Sequence, residues 1–373
     1  MLPRVAVIIV TYRNAEASAD LARLLPTLEK VDYPLDRWEI VVVDNPSSTG
    51  NCREILQDVW RPRSGRSLPR LTVIGNDANT GFAGGNNQGT VVAKEHGAAY
   101  VFLLNQDTDV DSGFLRWSVE RAEADRRVAI VQSLLLLGGE PGLVNSWGNV
   151  WHFLGYSWCG GYRETRPEAD RHFAGERRRG NADREIACAS GAASLVRLAA
   201  LGAEAPFDEN FFLYHEDADL SLRLRSRGWR VVIEPRSVVR HHYVFARSAS
   251  KFRWMERNRY AVMLSFYRWP TWALIMPWLL AVELAALVFA WRGGWLAEKL
   301  AAYRSLLAPE TRQWLRARRA AIQARRVVSD RELLRSAVGA IDHQETGGGL
   351  VVRLVANPVL SLVWSACRLV MWW

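Results

Sequence analysis

The chain has 373 residues, 49% of them hydrophobic, and a formal net charge of +9. That length and apolar content support a large buried core and exclude wholesale disorder. Its four cysteines show no C-x-x-C spacing, which excludes a disulfide framework or a cysteine zinc site and fits a reducing cytosol.

From residue 4 to about 135, continuous apolar runs alternate with helix-like segments. Strands are expected at Val5–Thr11, Trp38–Asp44, Leu71–Ile74, Tyr100–Leu104 and Val128–Leu135. The first is expected to begin at once, at Val5, rather than after a signal peptide. Such runs predict a parallel sheet buried on both faces, whose ligands gather at the carboxyl ends of the strands. The polar punctuation falls at those ends: Thr11-Tyr12-Arg13-Asn14, Asp44-Asn45, Asn79-Thr80-Gly81 and Asn105-Gln106-Asp107. Taken alone, Asp44-Asn45-Pro46-Ser47 reads as an Asx turn. Four strand ends carrying amide, hydroxyl or carboxylate groups exceed chance turn chemistry.

The run Asn79-Thr80-Gly81-Phe82-Ala83-Gly84-Gly85-Asn86-Asn87 is glycine-rich and precedes a helix. Glycines admit close backbone approach, and a helix N-terminus favours a diphosphate. The run is neither G-x-G-x-x-G nor a P-loop. Asp107, with Asp109 in reserve, offers the oxygen ligands that Mg²⁺ or Mn²⁺ prefers. Acidic residues after a strand are also common turn formers.

Residues 138–185 are expected to form a hairpin and a mobile loop, with a basic run at Arg177-Arg178-Arg179. The aromatics Trp147, Trp151, Tyr156, Trp158 and Tyr162 fit sugar stacking and hairpin core equally well. Sheet is expected to resume at Glu185–Arg197, carrying Ser190-Gly191-Ala192. An aromatic segment, Phe207 to Tyr214, then ends in Glu216-Asp217-Ala218-Asp219, followed by a helix of about three turns, Gly228-Trp229 and a strand at Arg230–Glu234. Acids at a helix N-terminus complement its dipole. That account leaves the large aromatics in front of them unexplained. His241-His242 can supply a neutral imidazole to a metal, or sit inert on a surface strand.

A basic amphipathic helix from about 248 to 268 leads into Trp269–Trp291, an apolar stretch long enough to cross a bilayer but broken by Pro270 and Pro277 and carrying Glu283. Residues 292–335 hold eleven basic side chains against four acidic ones. A single crossing would put that segment opposite the rest of the chain, against the positive-inside tendency. The stretch is therefore expected to re-enter, to lie in the interface, or to be partnered by Leu350–Trp373, itself a better interfacial helix than a span. Many of the 17 Trp residues cluster here, as interfacial anchors do. An anionic membrane surface, not nucleic acid, is the partner this charge pattern favours. A buried hydrophobic helical subdomain is the competing reading.

The order of these motifs, over roughly residues 4–268, resembles the family 2, GT-A-type glycosyltransferases, and within them the rhamnosyltransferase-like branch. The likeness is carried by the N-x-G-F-A-G-G-N-N segment at 79–87, by Asn105-Gln106-Asp107 where the branch has Asn-Pro-Asp, by Ser190-Gly191-Ala192, by Glu216-Asp217 and by the spacing to His241. It implies an α/β GT-A fold: a mixed, mostly parallel sheet flanked by helices as a catalytic domain over 1–245. Residues 246–373 follow as a helical membrane-associating region. It implies that Thr11, Tyr12, Arg13, Asp44, Asn45, Gly81, Phe82, Asn86, Asn87 and Asn105 hold the nucleotide. A Mg or Mn ion is implied at Asp107, with Asp109 and His241 as further ligands. Asp217 is implied as general base with Glu216 orienting the acceptor, and Ser190, Gly191, Trp151 and Trp229 are implied to lie on the sugars. The implied reaction is an inverting transfer of one sugar, L-rhamnose from dTDP-rhamnose, to a lipid-linked or polysaccharide acceptor at the cytoplasmic face of a bacterial cell membrane. Processive relatives carry Q-x-x-R-W; here Ser250-Lys251-Phe252-Arg253-Trp254 keeps Arg-Trp without the Gln, which points to single-sugar transfer. Two other classes compete. A sugar-nucleotide pyrophosphorylase is disfavoured because no basic glycine-rich loop follows the first strand. A non-catalytic glycan-binding scaffold is disfavoured by the retention of Asp107, Asp217 and His241.

Overall fold

The computed structural model describes residues 2–12, 16–178, 184–243, 250–342 and 349–373. The chain divides into two compact units. One comprises Met1–Asn149, Cys159–Leu213 and Trp229–Val244; the other comprises Val150–Trp158, Tyr214–Gly228 and Phe245–Trp373.

The first unit is built on a mixed sheet. Its elements begin with β1 (Val5–Tyr12), α1 (Ala17–Leu28), β2 (Trp38–Asn45), the short α2 (Arg53–Ile55), β3 (Arg70–Gly75), α3 (Gly81–Glu95) and β4 (Tyr100–Asn105). They continue through β5 (Thr108–Val110), α4 (Phe114–Ala124), β6 (Val128–Leu137) and β7 (Val144–Ser146). A two-stranded ribbon, β8 (Asn149–Trp151) with β9 (Ser157–Cys159), most of which belongs to the second unit, precedes α5 (Arg166–Arg178), β10 (Ala193–Arg197) and α6 (Leu198–Leu201) of the first. After α7 (Glu216–Ser226), which belongs to the second unit, β11 (Arg230–His241) returns to the sheet.

The strands lie in the order β3-β2-β1-β4-β10-β6-β11-β5, with β7 on β6. Pairing is parallel for β1 with β2 and β4, β2 with β3, and β6 with β11, and antiparallel where β10, β5 and β7 join. Val5 to Ile9 and Ile40 to Val43 are all buried, as expected of strands covered on both faces. Helix α3 comes unusually close to β1. A Cβ on Gly85 would stand 2.7 Å from Val10, and one on Gly89 2.6 Å from Ile8. Part of the glycine-rich run therefore serves helix-on-strand contact.

Two sequence expectations shift. Regular strand at 185–197 is confined to β10, because residues 185–192 make only isolated bridges. The strand expected at 230–234 runs on to His241, across a register break between Glu234 and Val238. Such a bulge re-aims the residues beyond it. Here it sets His241 opposite Thr108 of β5.

The second unit is helical: α7, then α8 (Ser250–Phe266), α9 (Trp269–Arg292), α10 (Leu296–Leu307), α11 (Pro309–Arg325), α12 (Asp330–Leu333) and α13 (Asn357–Val370). Helix α8 ends against donors from the basic segment downstream. Arg319 donates to the Tyr267 carbonyl at 2.7 Å, Gln323 to the Ser265 and Phe266 carbonyls at 3.0 Å, and Arg326 to the Phe266 carbonyl at 2.7 Å. These satisfy carbonyls that a helix end leaves orphaned. Several cations of the Arg-rich segment are thus internal fixtures.

Candidate active site

The ends of β1 and β2 form a closed polar cluster. Thr11 Oγ1 donates to Asp44 Oδ1 at 2.7 Å, and the Cys52 N–H reaches the same oxygen at 3.0 Å. Thr11, Asp44 and Asn45 are all buried. Asn45 Oδ1 accepts from Asn76 Nδ2 at 2.9 Å and from the Thr80 hydroxyl at 3.1 Å, which ties β2 to the turn before α3. Tyr12 is exposed, and its backbone is held on both sides by Gln106: the Tyr12 N–H donates to Oε1 at 2.8 Å and Gln106 Nε2 donates to the Tyr12 carbonyl at 3.2 Å. Arg13 lies outside the described residues.

At the start of α3, Gly81 has φ +72°, and a Cβ there would meet the Phe212 ring at 2.6 Å. The Phe212 carbonyl accepts from the N–H of Phe82 at 3.1 Å and of Ala83 at 3.4 Å. Those two first-turn donors therefore have a backbone partner within the chain. Asn86 is buried and donates to the Phe82 carbonyl at 2.9 Å; Asn87 clamps the 207–209 segment through the Phe207 backbone and Glu209. Asn86 thus braces the first turn of α3, and Asn87 holds the loop that leads toward the acidic segment.

The ends of β4 and β11 bring together residues far apart in sequence. His241 Nε2 stands 3.2 Å from Asp107 Oδ1 and 3.5 Å from Asn105 Nδ2. The other ring nitrogen, Nδ1, lies 3.3 Å from Asn145 Oδ1, so the ring is held from both sides. Burial pushes the Asp107 carboxyl up, but His241, with a lesser pull from His242, outweighs it and holds the group below the usual carboxylate range. Asp109 is engaged differently: its carboxylate meets His242 Nε2 at 2.7 Å and pairs with Arg240. Ser190 and Gly191 lie beside this cluster, since the Asn105 N–H donates to the Ala192 carbonyl at 3.0 Å and the Ser190 N–H to Gln132 Oε1 at 2.6 Å. Among the described residues, no group of three His, Cys, Asp or Glu is arranged to hold a metal ion.

The acidic segment opens α7 in the second unit. Phe212, Tyr214 and His215 take φ of 59°, 68° and 65°, left-handed values that non-glycine residues seldom adopt. Three bulky residues in that conformation mark a turn held by its surroundings; Asn258 Nδ2 contributes by donating to the Tyr214 carbonyl at 2.8 Å. The three carboxylates then part company. Asp219 is fully buried and pairs with Arg318 of α11. Glu216 is 6% exposed, with Oε2 lacking a hydrogen-bond partner among the described residues. Burial, reinforced by Asp217 and then Asp219, pushes its carboxyl up to about 8. Asp217 is partly exposed, its Oδ1 accepting from the Ala218 N–H at 2.7 Å. Of the three, Asp217 alone combines access with a place on the first turn.

Trp151 is a core side chain, 1% exposed, with its indole N–H bonded to the Tyr267 hydroxyl at 2.9 Å. Trp229 is partly buried. Four partners escaped the sequence reading: Gln106, Gln132, Asn145 and Arg318. Gln106 carried a signal, being the departure from Asn-Pro-Asp; Asn145 and Arg318 act across long separations that no local pattern marks.

The family model of the glycosyltransferase like family 2 matches residues 3–261. Over 85 residues the chain is 36% identical to the N-acetylglucosaminyl-diphospho-decaprenol L-rhamnosyltransferase of Mycobacterium tuberculosis, in strains CDC 1551 / Oshkosh and ATCC 25618 / H37Rv; the match takes in 23% of this chain and 24% of each relative. The chain thus spans about a quarter of the length of those relatives. GalNAc-T7, solved with UDP, GalNAc and Mn2+, aligns with a TM-score of 0.53 at 17% identity over 83% of this chain and 58% of its own. The mannosyltransferase PcManGT from Pyrobaculum calidifontis, in complex with GDP-Man and Mn2+, aligns at 18% identity over 87% and 86% of the two chains, with a TM-score of 0.48. The fold is that of GT-A glycosyltransferases, and the chain belongs to the glycosyltransferase like family 2.

Proposed function

We propose that the protein is an inverting, metal-dependent transferase that moves one L-rhamnosyl group from dTDP-rhamnose to a lipid-linked acceptor. The observation that carries this is the Asp107–His241 pair: a carboxylate oxygen and an imidazole nitrogen 3.2 Å apart at two strand ends. Mg²⁺ is commonly held by one or two protein ligands together with substrate phosphates and water, so the pair suits a cation that arrives with a diphosphate. Such an ion, when bound, neutralises the charge that develops on the leaving diphosphate. Asn145 fixes the imidazole, and the Thr11–Asp44–Asn45 cluster provides the polar rim for the nucleoside.

Transfer then needs one displacement. The acceptor hydroxyl oxygen bonds to the anomeric carbon, the carbon–oxygen bond to the diphosphate breaks, and the hydroxyl proton passes to Asp217. A single displacement inverts the anomeric configuration. Glu216, neutral below about 8, does not add a second negative charge to the segment that carries the base. The choice of rhamnose and of a lipid-linked acceptor rests on the 85-residue likeness to the mycobacterial rhamnosyltransferases. Residues 246–373 supply the surface that meets the membrane on its cytoplasmic face.

The test is release of nucleotide from a panel of sugar nucleotides, with Mn²⁺ or with EDTA, in the presence of polyprenyl-diphosphate acceptors. Turnover only with dTDP-rhamnose, lost in EDTA and after Asp107→Ala, is the expected result. Turnover with another donor would move the sugar assignment, and full activity in EDTA would remove the metal role.

A further inference from the structure

Helix α9 is the one helix among the described residues long and apolar enough to cross a membrane: 24 residues, mean hydropathy 2.2 in its most apolar stretch, 17% of that stretch buried. At 1.5 Å per residue it is about 36 Å long. Its two sides differ sharply. Met276, Leu280, Leu284 and Val288 face outward, with Leu280 59% and Leu284 66% exposed. The inner side packs Trp272, Ile275 and Leu279, and at the helix middle presents Glu283.

Glu283 is fastened from both neighbouring helices. From α8, Arg259 donates to its carboxylate at 2.8 Å and the Tyr260 hydroxyl donates to it at 2.7 Å; Lys299 and Tyr303 of α10 bind it as well. Arg259 and Lys299 are themselves buried and also hold Glu256, at 2.9 and 2.7 Å. Burial pushes the Glu283 carboxyl up, but Arg259 and Lys299 outweigh it and bring it down to about 2. A helix that crossed a bilayer would have to carry these cations and carboxylates to the centre of the hydrocarbon, where each is costly. Helix α10, at 12 residues or about 18 Å, is too short to cross beside it.

A second apolar strip adjoins the start of α9. The C-terminal helical stretch, α13 with the helical turn Val352–Ala356 ahead of it, exposes Leu354, Leu362 and Leu369, and the chain beyond it is tied to α9 by the Trp373 indole N–H, which donates to the Thr271 hydroxyl at 2.8 Å. Exposed cations border both strips: Arg292 at the end of α9, Arg353 and Arg368 on the C-terminal stretch. Exposed Trp269, Trp291 and Trp372 stand at the ends, where an amphipathic ring suits the headgroup layer. Apolar strips edged by arginines complement an anionic lipid surface.

We propose that α9 and the C-terminal helical stretch lie flat in one leaflet of an anionic membrane, outer faces in the acyl layer, without crossing it. This deepens the membrane-acceptor reading above and rests on it. Two measurements on the full chain test it. In flotation with phosphatidylcholine vesicles, with and without phosphatidylglycerol, the chain is expected to bind the anionic vesicles and Leu280→Glu with Leu284→Glu to lower the bound fraction about ten-fold. In inverted membrane vesicles from expressing cells, with Cys159 changed to Ser, an impermeant maleimide is expected to label Arg253→Cys on α8 and Arg316→Cys on α11 equally, both positions being exposed. Labelling of one and not the other would show a crossing and overturn the proposal. So would flotation untouched by the double variant, or a dimer that the double variant disperses while vesicles bind nothing. Donor turnover assayed with a water-soluble acceptor separates the two readings: its absence sinks the transferase assignment and leaves flotation and labelling unchanged.

Discussion

The strand ends of the first unit and the acidic segment of the second are both polar, but they are held by opposite means. At the strand ends, neighbouring strands deliver the partners: Thr11 meets Asp44 because β1 and β2 are in parallel register, and His241 meets Asp107 because β11 pairs with β5. At the acidic segment, no sheet sets the geometry. Three carboxylates within four residues would repel one another, and a guanidinium from 99 residues downstream pairs with one of them. The first kind of site is fixed by the main chain, the second by burial and charge. Variants should therefore fail differently in the two places.

The largest effect is expected at Asp217. Asp217→Asn removes the proton acceptor and keeps the shape, so turnover should fall by about 10²–10⁴, the usual contribution of a general base. Nucleotide affinity in Mn²⁺ should stay as it was. Steady-state rates together with titration of the nucleotide check both halves. A variant that lost affinity and rate together would erase the contrast between the regions.

Arg318 comes next. Asp219 is fully buried, and removing its cation leaves an uncompensated charge, a change that costs about 3–5 kcal/mol in comparable sites. Arg318→Met should show a loss of that order in urea unfolding. Adding Asp219→Asn should restore most of it, because the orphaned charge is then gone. If the double variant were no more stable than the single one, the pair would not be what anchors α7.

This contrast also explains what could be read beforehand. The strands, the GT-A type and the polar strand ends were legible because period, apolar runs and short motifs are local. Asp44 stands at the end of β2 and Asp107 follows β4, as the strand runs predict, whereas His241 lies at the end of a strand that runs on past its expected end at Glu234. The internal roles of Asn86 and Asn87 were not legible, since an amide beside glycines looks the same whether it faces a ligand or, as here, the Phe82 carbonyl and the Phe207 backbone. Nor was the use of the Arg-rich segment: its cations read as a solvated or lipid-facing run, while Arg318, Arg319 and Arg326 turn inward onto Asp219 and helix-end carbonyls. The lone Glu283 in an apolar stretch hinted at partners without naming Arg259 and Lys299.

Glu216 gives a smaller and pH-dependent signal. Its carboxyl is raised from an ordinary 4.5 to about 8, by burial first and by Asp217 and Asp219 after it. Between those values the folded chain keeps a proton that the unfolded chain has lost, so stability should decline as pH rises through that window and level off above about 8. Glu216→Gln, always neutral, should flatten this slope. Urea midpoints of the two proteins measured from about pH 5 to about pH 9 decide it; parallel curves would mean that Glu216 is ionised in the folded state.

The smallest expected effect is at Gln106, where the chain departs from Asn-Pro-Asp. Its side chain both accepts from and donates to the Tyr12 backbone, at 2.8 and 3.2 Å, bracing the exposed end of β1 from the turn after β4. Gln106→Pro deletes both bonds. Each is worth about 1 kcal/mol net at most in an exposed setting, and proline offsets part of that by restricting the unfolded chain. Global stability should move by less than about 1 kcal/mol. The end of β1 should loosen, however, so KM for the donor should rise about three- to ten-fold with kcat unchanged, the signature of weakened uniform binding. An unchanged KM would mean that Tyr12 and its neighbours take no part in holding the nucleotide, and the site on the first unit would shrink to the cluster around Asp44 and Asp107.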